Sequence, residues 1–550
     1  MKDFTPALPN YKTGTYNMTE AGFPSMMSTR DAELGKLIHS LRKTILGDRR
    51  LLFVDDRVMM ASINWIRDHV HEMKAFMHWE HDLKSFFQFF LDYQSDEGWY
   101  YELIKQLDDI HWSYVHPKFM RKFPMDHVAA TRLELEADIE YLMVEGAMQI
   151  YRVTADDAWI RQTIPRLEKG IDYITSDPLR WDEAHGLVKR PFTIDTWDFT
   201  YGREGSNRRI EPDTPMSIMH GDNSGVYQAM RQLAWLRRRF GEEEKAAQWE
   251  RRAEALRENM MKYLWNGRFF IHQLHLNHSG ADDMENERLS LSNTYDMNRG
   301  VTTLEQNRAI LEEYRRRRET TEAFAEWFSI DPPYEIFGEH ARGKYVNGGI
   351  ASYAGGELAK AAFANGMEAY GWDIVRRVWE LIKRDGELYF LYDPHTGENL
   401  EGGPSGWGAA AFLSAIEEGL AGIRDLDVQF RVMEFAPRWV VTDYNELRFF
   451  TGYELSREKI DVYFVREEER LWYRLSAPAR EIQCHILLPE GKNCTGVTVD
   501  GHEVAFKRTA VGTSQYVDFV LRDVQKERDH FGWTDNRTWE IACELATGKN

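Results

Sequence analysis

Cysteine is nearly absent: only Cys484, Cys494 and Cys543 occur in 550 residues. They are widely spaced and match no zinc pattern, so they read as reduced thiols rather than a disulfide framework or a metal site. No run of about 18 apolar residues exists, which argues against a membrane-spanning helix. The first 17 residues carry no apolar core of a signal peptide, so the cytoplasm is the expected compartment. Basic charge is in deficit, with 69 Lys and Arg against 89 Asp and Glu and a net charge of -20. An acidic surface repels phosphate backbones, and nucleic acid is not an expected partner. The one arginine run, Arg315 to Arg318, follows Glu312 and Glu313 on a helical pattern and reads as a solvated face.

Cofactor and metal signatures are missing too. There is no Walker or GxGxxG element and no HExxH spacing. Asp55-Asp56, Asp108-Asp109 and Asp282-Asp283 lack EF-hand spacing. His69, His71, His78 and His81 crowd one region but do not share a helical face. Neither a cofactor nor a metal is expected, and nothing in the sequence sets an oligomeric state.

What the chain has is aromatic surface: 13% Phe, Trp and Tyr, including 18 Trp and 25 Tyr. Trp and Tyr pair an apolar face with a polar edge, which complements the C–H faces and hydroxyl rims of sugars and equally suits aromatic-rich helix packing. From about residue 31 to 424 apolar residues recur every three or four positions. Leu37, Leu41 and Ile45 form one such face, Val226, Met230, Leu233 and Ala234 another. After Gly422 the period becomes two, in short runs at 428–433, 439–442, 447–450, 459–465, 471–475, 482–488, 496–499, 516–521 and 539–543. The reading is an N-terminal extension over 1–30, an all-helical domain over 31–424, and a small β-sandwich domain over 425–550.

Four loop segments combine carboxylates with aromatics. Asn64-Trp65-Ile66-Arg67-Asp68-His69 opens a helix. Its guanidinium and carboxylate suit two neighbouring sugar hydroxyls beside an indole, or a surface ion pair beside a core Trp. In Asp195-Thr196-Trp197-Asp198-Phe199 two carboxylates lie three apart among apolar residues. Apolar surroundings raise a carboxyl pKa, as a general acid requires, while Asp195 also suits a helix cap. Lys344-Tyr345-Val346-Asn347-Gly348-Gly349-Ile350 precedes a helix starting near Ser352, with Glu357 in its first turns and Glu335 and Glu339 on the loop before. Tyr389-Phe390-Leu391-Tyr392-Asp393-Pro394-His395-Thr396-Gly397 is a turn by composition, followed by Glu398, Glu401 and Gly406-Trp407.

Taken in order, these segments resemble the (α/α)6-barrel glycosidases, in particular the trehalases, family 63 α-glucosidases and neutral invertases. Trp65-Ile66-Arg67-Asp68 is similar to their early Trp-x-Arg-Asp clamp, and Asp195-Thr196-Trp197-Asp198 to the segment whose last Asp is the general acid. Tyr345-Val346-Asn347-Gly348-Gly349 and the turn ending in Trp407 resemble two later motifs. The resemblance implies a mainly α fold, an (α/α)6 barrel followed by the C-terminal β-sandwich. It implies an exo-acting, inverting glycoside hydrolase acting on a small carbohydrate. Asp198 would be the acid, and Trp65, Arg67, Asp68, Trp197, Tyr345, Asn347 and Trp407 would shape the subsite. One position departs: the family's general base is a Glu three residues before Asp393, and here it is Phe390. Glu357, then Glu335, then Glu401 are the substitutes. Phosphorolysis, epimerisation or isomerisation by His bases, and sugar binding without catalysis are the alternatives.

Overall fold

The computed structural model describes residues 26–108, 116–194, 209–277, 284–338, 340–400, 402–523 and 536–547. The described residues hold twelve α-helices. The odd-numbered ones are α1 (Ala32–Asp48), α3 (Ser85–Asp92), α5 (Asp157–Ile174), α7 (Glu243–Tyr263), α9 (Leu304–Thr320) and α11 (Glu368–Asp385). The even-numbered ones are α2 (Ile66–Phe76), α4 (Ile139–Thr154), α6 (His220–Arg239), α8 (Ser292–Arg299), α10 (Ser352–Ala364) and α12 (Gly406–Ser414). Each even-numbered helix packs on the next, and α12 closes the cycle on α2. Odd-numbered helices pack outside, as α7 does on α6 and α11 on α10.

The sequence dictates which helices lie inside. Along α4 nearly every residue is buried, Glu140, Glu145 and Gln149 included, and α12 is buried throughout. A helix covered on all sides belongs to the centre. On α7 only Ala246, Trp249, Ala253, Leu256 and Met260 are buried, the single stripe of an outer helix. Small residues let the inner helices touch: a Cβ on Gly356 of α10 would lie 2.6 Å from the backbone of Ala411 on α12. Three outer helices, α1, α5 and α9, carry side-chain N-caps. Asp31 accepts from Leu34 N at 2.8 Å, and Thr303 and Gln306 form a capping box on α9.

Short antiparallel strands stitch together the segments that enter the inner helices. Leu187–Pro191 pairs with Met216–Met219, and that with Gln273–His275. Leu289–Ser290 pairs with Ile330–Asp331, and Ile350–Ala351 with Leu391–Tyr392. The helical region is therefore not all-helical as its periodicity suggests. These strands are two to five residues long, too short to show an alternation. The hairpin Arg49–Val54 with Arg57–Ser62 was also hidden. Of the Arg315–Arg318 run, three side chains are solvated, but Arg317 is buried and donates to Glu313.

From Ile423 onward the described chain is β, in two sheets. Seven strands include Glu446–Tyr453, Glu458–Arg466, Arg470–Ala477 and Arg537–Thr547; five include Val432–Phe435, Glu481–Leu487 and Ser514–Arg522. Phe435 of the smaller sheet meets Tyr473 of the larger with ring centroids 5.6 Å apart, so the sheets face each other. Ser28–Thr29, within the expected N-terminal extension, adds to the larger sheet beside Phe449 and Phe450. Two expected strands differ. Trp439–Val441 forms a 3-10 turn because the Trp439 carbonyl accepts from Thr442, and the early half of 428–433 turns through the left-handed residues Gln429 and Phe430.

His78, just past α2, joins the two parts. Its Nδ1 lies 2.9 Å from the Gly452 carbonyl and its Nε2 2.8 Å from a Glu417 carboxylate oxygen. Both ring nitrogens face acceptors, so the imidazolium is favoured. Burial opposes the charge, but Glu417, the Gly452 carbonyl and Glu418 outweigh it and raise the pKa above the ordinary value. A raised histidine pKa stabilises the fold fully below the unfolded value near 6.5 and loses that stabilisation as pH rises through the folded value. His78→Phe is expected to destabilise the chain by about 3–5 kcal/mol at pH 6 and by less at pH 9. Equal losses at both pH values in urea denaturation would contradict this account.

Candidate active site

The inner helices run in one direction, and their N-termini meet at a single rim. Five of the six lack a side-chain N-cap; only α12 has one, Ser405. Their aligned dipoles give the rim a positive potential. Carboxylates gather there in response.

Arg67 on the first turn of α2 is the centre of that cluster. Its Nε and Nη2 grip Asp138 at 2.5 and 2.9 Å, Nη1 reaches Glu102 at 3.0 Å, and Nη2 reaches Glu136 at 2.5 Å. Arg190 extends the network to Asp222 at 3.4 Å and Glu136 at 3.6 Å. All six side chains are buried. Burial disfavours the Arg67 charge, yet Asp138, Glu136 and Glu102 together raise its pKa. The acids diverge. Burial lifts Glu136 well above the usual carboxylate range even beside Arg67, whereas the Arg67 fork holds Asp138 below its ordinary value in spite of burial. Of these residues the sequence reading named only Arg67. The acid-dense stretch Glu134-Leu135-Glu136-Ala137-Asp138-Ile139-Glu140, opening an apolar helix, was the available signal.

Trp407 stands on the same rim at the start of α12. His71 of α2 stacks on it at 4.1 Å and 8°, and Tyr353 and Phe390 lie 4.9 and 6.3 Å away. Its indole N–H donates to the Tyr295 hydroxyl at 2.9 Å. Phe390 is thus part of an aromatic wall. Its backbone pairs with Gly403, and Leu391 pairs with Leu400. A Cβ on Gly402 would lie 2.7 Å from the Phe390 ring. Trp65 precedes α2 and bridges to Leu103, placing it on this rim with Asp68 one turn on.

The remaining expected residues are distributed unequally. Asn347 is buried and spends its amide on the loop around it, donating to Tyr334 and His340 carbonyls at 3.0 Å and accepting from Tyr334 N at 3.0 Å. It orders the loop that carries Tyr345, which has a left-handed backbone and packs on His340. Glu335 is exposed and pairs with Arg342 at 2.7 Å on the surface. Glu357 is buried in α10 and committed to Lys74 at 2.8 Å and Asn298 at 2.6 Å. Burial would raise its pKa, but Lys74 and Lys360 hold it below the ordinary value. It lies in the wall of a cavity at the C-terminal ends of the inner helices, away from the Arg67 cluster.

Asp195, Trp197, Asp198, Glu339 and Glu401 lie outside the described residues. The chain leading to Asp198 is placed: Phe192 packs on His275, Tyr334 and Phe337 with centroids 5.3, 5.7 and 5.3 Å away. A second polar cluster surrounds this point. Glu285 accepts from Tyr334 at 2.7 Å and Arg288 at 3.0 Å, with His275 and His272 at 3.4 and 3.6 Å. Although burial opposes it, His272, His275 and Tyr334 hold Glu285 far below the usual carboxylate range. Sequence reasoning missed it because its partners come from segments up to 49 residues away. No cluster of His, Cys, Asp or Glu with metal-binding arrangement occurs among the described residues. No described helix is long and apolar enough to cross a membrane.

A family model described as Trehalase matches residues 194–326, beginning at the Asp198 segment. No curated protein sequence matches the chain. Among solved structures, the α-L-rhamnosidase from Dictyoglumus thermophilum superposes with a TM-score of 0.60 at 11% identity, covering 94% of this chain and 50% of that one. The GH78 family rhamnosidase of Bacillus sp. GL1 gives 0.56 at 14%, covering 80% and 40%. The Streptomyces avermitilis α-L-rhamnosidase complexed with L-rhamnose gives 0.55 at 10%, covering 94% and 42%. The chain spans half or less of the length of these rhamnosidases. Such identities speak for the fold. The neighbours are (α/α)6-barrel glycoside hydrolases, and the resemblance read from the motifs is to the same class.

Proposed function

We propose that the chain is an (α/α)6-barrel glycoside hydrolase with a C-terminal β-sandwich, cleaving a small oligosaccharide or glycoside, exo-acting and with inversion. The observation that carries this reading is the rim. Six parallel inner helices bring Trp65, Arg67, Asp68, Trp407 and the stem of the Asp198 segment to one end, around a buried network of carboxylates. Asp198 protonates the leaving oxygen, and Trp197, Tyr345 and Trp407 shape the sugar subsite. Arg67 acts as a positioning residue, since its guanidinium is spent on three carboxylates.

For the base, Glu401 is preferred to Glu357 and Glu335. Glu335 faces solvent, and Glu357 is bound to Lys74. Leu400 and Gly402, on either side of Glu401, lie against Leu391 and Phe390, the position where the family motif carries its base. Inversion needs a second carboxyl roughly 6.5–9.5 Å from the acid, with water between. Glu401→Gln is expected to lower kcat by about 10²–10⁴-fold, and Glu357→Gln far less. The opposite ranking would return the base to Glu357. A panel of disaccharides and aryl glycosides, assayed with and without phosphate, tests the reaction class. Turnover only with phosphate would favour phosphorolysis, which the apolar Phe390 also suits. NMR of the first-formed anomer tests inversion.

A further inference from the structure

A cavity of about 480 Å³ opens at the C-terminal ends of the inner helices, the pole opposite the rim. Two helices present it with the same polar spacing. On α4 the lining residues are Glu145, Met148, Gln149 and Arg152; on α6 they are Gln228, Arg231, Gln232 and Trp235. Each set follows i, i+3, i+4, i+7, so one face of each of these two inner helices carries three polar side chains and one apolar one, Met148 on α4 and Trp235 on α6. Glu145 and Gln149 are buried, Arg152, Gln228 and Gln232 are half-buried and Arg231 is exposed, and a buried polar group is costly unless something satisfies it.

The wall is close to electroneutral. Seven basic and six acidic side chains line it, and most are matched. Lys74 meets Glu357, Lys360 meets Glu418, and Arg238 meets Glu250, each at 2.8 Å. Among the uncharged polar groups of the wall, two amide acceptors stand unmatched. Gln149 is 5% exposed. Its Nε2 faces Glu145 at 3.5 Å, which fixes the amide orientation, and its Oε1 is buried without a partner. Gln232 Oε1 is also buried without a partner. An anion offers these oxygens no hydrogen. A hydroxyl can donate to them and accept from the neighbouring guanidinium of Arg152, while Trp235 supplies an apolar surface. The volume falls within the range of small-molecule sites.

We propose that this cavity is a second binding site, for a small neutral polyhydroxylated ligand such as a sugar or polyol, separate from the rim. The proposal does not depend on the reaction proposed above. The test uses the full chain carrying Asp198→Asn, titrated calorimetrically with glucose, trehalose, sorbitol and, as an anionic control, glucuronate. A saturable site for a neutral probe is expected. Gln149→Leu and, separately, Trp235→Ala are expected to weaken it at least tenfold, and either change in the active chain to leave turnover within twofold. Trp235 is only partly buried, so its variant keeps the test valid if Gln149→Leu does not fold. Binding unaltered by both changes, no saturable binding of any neutral probe, or preference for glucuronate would overturn the proposal. Loss of turnover in Asp198→Asn reports on the rim alone, so the two readings fail independently.

Discussion

Asp198→Asn is expected to lower kcat on the best glycoside by about 10²–10⁴-fold, with KM little changed. The amide keeps the shape of the side chain but has no acidic proton to give the departing oxygen. A substrate whose leaving group needs no protonation, such as an activated aryl glycoside or a glycosyl fluoride, is expected to lose much less. That differential separates a general acid from a merely structural carboxyl. Full turnover in the variant on an unactivated disaccharide would end the acid assignment. The Asp195→Ala change is the control, because loss of a helix-capping Asp would affect stability by about 0.5–2 kcal/mol and not the chemistry.

Arg67→Leu is expected to be the most destabilising single change at the rim, by about 3–5 kcal/mol near neutral pH. It removes the one cation that contacts Glu102, Glu136 and Asp138 together and leaves three buried carboxyls facing one another. In the variant their folded pKa values rise above the unfolded ones. The folded state then binds protons that the unfolded state does not, so stability falls as pH rises above the ordinary carboxylate range. The variant is therefore less impaired at pH 5 than at pH 8. Arg67→Lys is expected to recover only part of the loss, because one ammonium cannot reproduce a fork that holds Asp138 at two points. Denaturation midpoints at the two pH values provide the measurement, and a uniform loss would refute the charge argument.

The helices were legible because burial follows a period that survives in the sequence. Leu37, Leu41 and Ile45 line α1, and the start of α10 at Ser352 falls where the pattern begins. Most C-terminal strands were legible for the same reason, with period two. The rim's short strands were not, since two to five residues are too few to show a period. The site shows a similar division. Trp65, Arg67 and Trp407 were found by local motif, and all three stand at the rim. Glu102, Glu136, Asp138, Arg190 and Asp222 were not found, because each looks like an ordinary surface charge until its partner arrives from another segment. Glu357 and Glu335 were the first and second substitutes for the base in sequence, yet Glu335 faces solvent and Glu357 is bound to Lys74 on a different helix.

By itself, the sequence determined the helical and β halves, the aromatic and acidic character of the loops, and the resemblance that singles out Asp198 and exposes Phe390 as a departure. These depend on neighbours along the chain, where periodicity and motif are written. Closure of α12 onto α2 decided the rest. It brought six helix starts to one rim and their ends to another. It made Arg67 the hub of three carboxylates, and it left Gln149 facing a cavity no local pattern announces. The physical reason is that charge pairing and desolvation act between residues tens to hundreds of positions apart, and only packing sets those distances.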